Sequence, residues 1–214
     1  MKNKEQITEI VFIIDKSGSM HGLEKDTIGG FNSVIEKQKK QSGKVLVSLV
    51  LFNSSFHVVY DRADLQQVNP LTENDYRVGG STALLDALGG AIKHIGNVHK
   101  YARKEDVPTT TTFIITTDGL ENSSRTYDSE QVKSMVKRQT EKYGWEFVFM
   151  AANIDAVETA KRYGIREDRA VNYDYSPQGV AHCYCAMDEI VACRRTGATL
   201  DKSTFKNKVN PNKK

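Results

Sequence analysis

The chain has 214 residues, enough for one large domain with a substantial core. Hydrophobic residues make up 39% and charged residues 27%, a balance ordinary for a soluble globular protein. The net charge of +3 is a tail effect: the last fourteen residues, DKSTFKNKVNPNKK, hold five Lys against one Asp, so the rest sums to −1 and does not read as a nucleic-acid binder.

The polar start, MKNKEQITE, has no apolar core of the signal-peptide type, and no run of about 18 apolar residues follows. The expectation is a cytoplasmic protein with no membrane partner. ITEIVFII (7–14) is apolar and rich in β-branched residues, and reads as a strand buried on both faces. Leu23, Thr27, Ile28, Phe31, Val34 and Ile35 follow a helical period, predicting a helix over roughly 23–40 that Ser42-Gly43 ends. VLVSLVLF (45–52) is a second strand. Asn53-Ser54-Ser55 turns the chain, and FHVVY (56–60) returns as an antiparallel edge strand.

Residues 61–80 are polar and end in Gly79-Gly80. A helix follows with Leu84, Leu88, Ala91, Ile92, Ile95 and Val98 on one face. FIITT (113–117) is a third buried strand, stopping at Asp118-Gly119. A polar helix over 129–142 turns Val132, Met135 and Val136 inward, and WEFVFMA (145–151) is a fourth strand, with Trp145 in the core. Asp155 and Glu158 have capping-box spacing for a helix ending near Gly164. AVNY (170–173) is a weak last strand, and 177–195 a closing helix. All three Cys fall between Cys183 and Cys193, which argues against a disulfide framework. On a helix Cys183 and Cys185 point about 200° apart and do not share a zinc ion, so the cysteines, with His182 beside them, read as packing residues.

Strand–helix alternation predicts an α/β fold: a Rossmann-like open, mostly parallel sheet with one antiparallel edge strand and helices on both faces. One domain spans 1–200, and 201–214 form a basic, flexible tail. In such sheets ligands bind outside the carboxyl ends of the strands. Three loops meet that edge: Asp15-Lys16-Ser17-Gly18-Ser19, Gly79-Gly80-Ser81-Thr82 and Asp118-Gly119. Together they offer two carboxylates and several hydroxyls, with no Cys or His. That donor set suits a hard cation, Mg²⁺ first and Mn²⁺ or Ca²⁺ next. Helix N-termini at the same edge favour an incoming anion. Glu121 and Asn122 read as solvated loop residues, with support of the ligands as the alternative. Asp86 reads as offsetting the start of its helix.

DKSGSM after a buried strand resembles the DxSxS of von Willebrand factor type A domains, and GGST and TTDG resemble that family's other two metal loops in the right order. The resemblance covers roughly 7–195. It implies a three-layer sandwich with a metal-ion-dependent adhesion site, whose ligands here are Asp15, Ser17, Ser19, Thr82 and Asp118. The family often has Thr directly after the glycine pair; here Ser81 intervenes, so Ser81 stands as the alternative to Thr82. The implied role is a magnesium-dependent protein-binding module, scaffold or regulatory, that takes an Asp or Glu of a partner within a larger assembly. The competing reading is a metal-dependent hydrolase of the phosphohydrolase kind. It lacks a general base or nucleophile beside the three loops, where Lys16 is the one basic candidate, so no catalytic residue is assigned.

Overall fold

The computed structural model describes residues 6–209. ITEIVFIID forms β1 (Ile7–Asp15), and all nine residues are buried because helices cover both faces. Successive strand side chains point to opposite faces. Ile10, Phe12 and Ile14 enter one core layer with the apolar sides of α1 (Glu24–Lys39), α5 (Pro177–Arg195) and α6 (Lys202–Val209). Val11 and Ile13 enter the other with α2 (Leu84–Tyr101), α3 (Ser129–Tyr143) and α4 (Ala156–Arg162).

The remaining strands are β2 (Lys44–Phe52), β3 (Phe56–Asp64), β4 (Thr110–Thr117), β5 (Glu146–Ala151) and β6 (Ala170–Asn172). They form one six-stranded sheet in the order β3-β2-β1-β4-β5-β6. Only β3 runs antiparallel to its neighbour; every other pair is parallel. This is the expected three-layer architecture. From β1 the chain winds first toward β2 and later, on the other side, toward β4. The order reverses between β1 and β4, which places the ligand crevice outside their carboxyl ends.

Several boundaries differ from the sequence reading, each for a physical reason. β3 continues past Tyr60 through an irregular register where Arg62 takes φ +49°. β4 begins three residues early, at Thr110-Thr111-Thr112, a run that looks polar yet is buried, as β-branched residues readily are in a sheet. The 61–80 segment is not merely polar. Leu65, Val68, Leu71 and Tyr76 are buried in the α1 layer. The tail is also corrected. Residues 202–209 form α6, and Leu200, Phe205 and Val209 are buried in the same layer, so this stretch is not a flexible basic arm; the rest of the tail, 210–214, lies outside the described residues. Phe205 and Val209 are four residues apart and share one face of the helix.

Candidate metal centre

β1 and β4 are neighbours in parallel register, so the residues that end them meet: Asp15 closes β1 and Asp118 follows Thr117. Beyond Asp15 the chain turns sharply, with Ser17 N donating to Asp15 Oδ1 at 2.7 Å. A short 3₁₀ turn over Gly18–Met20 follows and sets Ser19 opposite β4. Ser17 Oγ and Ser19 Oγ lie 3.1 Å apart, and Ser19 Oγ donates to Asp118 Oδ1 at 2.7 Å. Thr117 Oγ1 donates to Asp15 Oδ2 at 2.6 Å. A Cβ added to Gly119 would lie 3.7 Å from Ser19 Oγ and 3.9 Å from Thr82 Oγ1, so both hydroxyls border the space that this glycine leaves open.

Backbone bonds lace the second loop to the first. Gly18 N donates to Gly80 O at 3.0 Å and Gly79 N to Lys16 O at 2.9 Å. Gly80 sits at φ +78°, and a Cβ there would meet Ser54 Oγ at 2.5 Å, so glycine is required on both counts. Ser81 points away from the centre: its N donates to Ser54 Oγ at 2.9 Å and its Oγ lies 2.9 Å from the same atom. Thr82 is buried and faces the carboxylates' side.

Glu121 and Asn122 are not idle loop residues. Thr82 N donates to Asn122 Oδ1 at 2.9 Å, and Asn122 N donates to Thr82 O at 3.0 Å. Glu121 accepts from Leu85 N, capping α2, and from Ser123 N, Ser124 N and Ser124 Oγ. Asp86 does more than offset a helix start: it accepts from Arg125 N, Thr126 N and Tyr127 N. The second and third loops are therefore stapled in both directions. Tyr76, within the segment that sequence reading left as polar, donates to the Asp15 carbonyl at 2.5 Å and holds the first loop from below. A lone Tyr among polar residues carries no periodic signal that would have revealed this.

The electrostatics favour a cation. Burial raises Asp15 from 3.8 to about 6; bonds from Thr117 and Ser17 pull it down, and the nearby Asp118 charge pushes it up again. Burial also raises Asp118, against its bond from Ser19. No Lys, Arg or His contributes to either shift. Asp118 Oδ2 is buried and has no hydrogen-bond partner. Among the described residues no group of three or more His, Cys, Asp or Glu gathers as a metal site, so an ion held here would need the hydroxyls as ligands beside the two carboxylates. The residues fit a hard divalent ion: two carboxylates for charge, neutral oxygens for coordination and one unsatisfied oxygen directed inward. The cysteines do not compete. Cys183 is buried with its Sγ 3.6 Å from Met150 Sδ, Cys185 is exposed, and Cys193 Sγ lies 3.7 Å from the Ala198 carbonyl.

The family model for the von Willebrand factor type A domain matches residues 9–166. The chain belongs to this family. Solved structures agree at the level of the fold. A von Willebrand factor type A protein from Catenulispora acidiphila superposes with a TM-score of 0.56 at 14% identity, over 86% of this chain and 42% of that one. The ArnB paralog VWA2 from Sulfolobus acidocaldarius gives 0.54 at 16% identity, over 86% and 46%. Proximal thread matrix protein 1 from the mussel byssus, with a zinc-occupied MIDAS motif, gives 0.59 at 15% identity, over 90% and 47%. This von Willebrand factor type A chain thus spans less than half the length of each of these three. Among curated proteins no sequence matches it. Domains of the family generally mediate protein–protein interaction. No helix among the described residues is long and apolar enough to cross a membrane.

Proposed function

We propose that this domain is a divalent-metal-dependent protein-interaction module, with Asp15, Ser17, Ser19, Thr82 and Asp118 as the ion's protein ligands. The observation that carries the reading is the buried, unpartnered Asp118 Oδ2 beside a second buried carboxylate with no cationic side chain between them. A divalent ion held there supplies a coordination position for a carboxylate of a partner protein. Asp15 and Asp118 balance its charge, and the three hydroxyls add donors while leaving it electrophilic. Mg²⁺ suits the oxygen set best; the mussel protein's zinc-occupied motif adds Zn²⁺ to the ions worth testing. Leu120, 58% exposed, and Tyr175, 40% exposed with its hydroxyl donating to Ser19 O at 2.5 Å, stand at the rim. They offer the partner apolar contact next to its acid. The reading extends to a scaffold or regulatory role within a larger assembly, in which the partner's acid completes the ion's shell.

The test is thermal unfolding of chelator-treated protein titrated with Mg²⁺, Mn²⁺, Ca²⁺ and Zn²⁺, with Asp15→Asn alongside. Ligand at 100 times its Kd stabilises by about 2.7 kcal/mol, a shift of several degrees. A shift in the wild type that Asp15→Asn abolishes is the expected result. No shift with any ion would sink the reading.

A further inference from the structure

The β1–β4 register ends at Ile14 against Thr116, so the Asp15 carbonyl lies one residue past the last paired position. The proposed ion site lies where the two strands part. The peptide unit that joins Asp15 to Lys16 is nonetheless tied at both ends. Lys16 N donates to Phe52 O at 2.7 Å, and the Tyr76 hydroxyl donates to Asp15 O at 2.5 Å. This unit sets the direction in which the first loop leaves the sheet. Just beyond it, Ser17 N returns to Asp15 Oδ1 at 2.7 Å. Lys16 O accepts from Gly79 N at 2.9 Å, so residues 76–79 hold two consecutive carbonyls of the loop.

That segment is fixed from outside the site. Leu71 is buried and exchanges two bonds with Asn32 of α1: Leu71 N donates to Asn32 Oδ1 at 2.7 Å, and Asn32 Nδ2 donates to Leu71 O at 2.9 Å. Thr72 and Asp75 then close a turn. Thr72 N and Oγ1 donate to Asp75 Oδ2 at 2.9 and 2.6 Å, and Tyr76 N donates to Thr72 O at 3.1 Å. Tyr76 itself is 1% exposed within the α1 layer. A ring packed this closely does not follow the loop; the loop is held to the ring.

Rigidity bears on the choice of ion. Mg²⁺ demands near-ideal octahedral geometry at about 2.0–2.1 Å, whereas Ca²⁺ takes about six to eight oxygens at about 2.3–2.6 Å in flexible arrangements. A loop that cannot relax favours the smaller ion. We propose that Tyr76 is a positioning residue of this centre: through the Asp15 carbonyl, its hydroxyl holds Asp15, Ser17 and Ser19 in a narrow arrangement that prefers Mg²⁺ over Ca²⁺. The inference rests on the reading of those three residues as ion ligands. Tyr76 supplies no ligand and acts through the backbone, as groups behind metal ligands do.

The test is calorimetric titration of Mg²⁺ and Ca²⁺ into wild type, Tyr76→Phe and Tyr60→Phe, each stripped of metal beforehand. Tyr60 is the matched control, since its hydroxyl also donates to a backbone carbonyl, Asn69 O at 3.0 Å, but at the surface. Tyr76→Phe keeps the ring and loses only the hydroxyl. It should weaken the Mg²⁺ Kd about tenfold or more, the usual loss for a group behind a metal ligand, while the Ca²⁺ Kd moves by about threefold or less. Tenfold corresponds to about 1.4 kcal/mol, the scale of one buried hydrogen bond. The preference for Mg²⁺ therefore falls. A general loss of stability leaves that ratio alone, because partial unfolding weakens both ions by the same factor. Tyr60→Phe should match wild type. Asn32→Ala frees the segment but keeps the phenol; it should lower the same ratio, and it decides the matter if Tyr76→Phe does not fold. A wild type that binds neither ion overturns the metal reading and this one with it. A wild type that binds ions but prefers Ca²⁺, or a folded variant of the pair that keeps the wild-type ratio, overturns the role of Tyr76 alone.

Discussion

Asp118 Oδ2, buried without a partner, carries a desolvation cost of about 1–3 kcal/mol or more. Asp15 adds to it. A shift from 3.8 to about 6 corresponds to roughly 3 kcal/mol of penalty on its charged form. The sign follows from the raised value: in metal-free protein this group's contribution is most favourable below 3.8 and is lost as pH rises through about 6. Asp15→Asn should therefore stabilise the chelated protein above pH 6, where calorimetry reads the gain, even as it abolishes the metal shift. An Asn amide can donate to Thr117 Oγ1, whose own proton can turn to Gly119 O, 3.1 Å away. A chelated variant less stable than wild type at pH 7 would make Asp15 a structural residue. The Ser81–Thr82 pair gives a second prediction. Thr82→Ala should weaken the ion's Kd at least tenfold, while Ser81→Ala, bonded only to Ser54, should leave it within about twofold. Calorimetric titration distinguishes the two.

The helices and strands obey the local rules that make them readable. Asp128 and Gln131 form a reciprocal capping box on α3, and the Asp155 side chain accepts from Val157 N and Glu158 N at 3.0 Å to start α4. The element that broke expectation is α6. Its lysines dominate the composition, but Phe205 is fully buried among the α1 and α5 residues. Phe205→Ala should cost about 3–5 kcal/mol in urea unfolding, the usual range for deleting a buried phenyl ring. A loss below 1 kcal/mol would mean that α6 is an appendage. Tyr76 teaches the same lesson inside the chain, because one aromatic in a polar stretch can anchor the Asp15 loop without any period to announce it.

Across the whole molecule, the two ends of the sheet carry opposite electrostatic designs. At the carboxyl end of β1 two acids face each other unpaired. At its other end Glu9, fully buried, accepts from Arg62 Nε at 2.5 Å, His99 Nε2 at 2.7 Å and Thr111 Oγ1 at 3.1 Å. Burial alone would raise Glu9, but bonds and charge from His99 and Arg62 outweigh it and hold the group below 4.5. Its stabilising contribution is therefore present above pH 4.5 and is lost as pH falls through the lowered value. Arg62→Met leaves the buried charge with His99 alone and should cost about 3–5 kcal/mol at pH 7. The deficit should shrink as pH falls, because without Arg62 the Glu9 carboxyl takes up a proton more readily than in the wild type; equal losses at neutral and acid pH would show that Arg62 acts through packing only.

What was legible in the chain was whatever depends on near neighbours. Alternation and helical period mark the strands and helices, and the order of DKSGSM, GGST and TTDG marks both the family and the edge of the sheet where the proposed ion would bind. Donor chemistry alone pointed to a hard cation rather than a soft one. Packing decided the rest. It turned Ser81 toward Ser54 and Thr82 toward the carboxylates, buried Thr110–Thr112, docked Phe205, and joined residues 9, 62, 99 and 111 in one network. Local propensity acts over a turn or two of chain, whereas these contacts join residues tens of positions apart whose orientations follow only from how the layers pack.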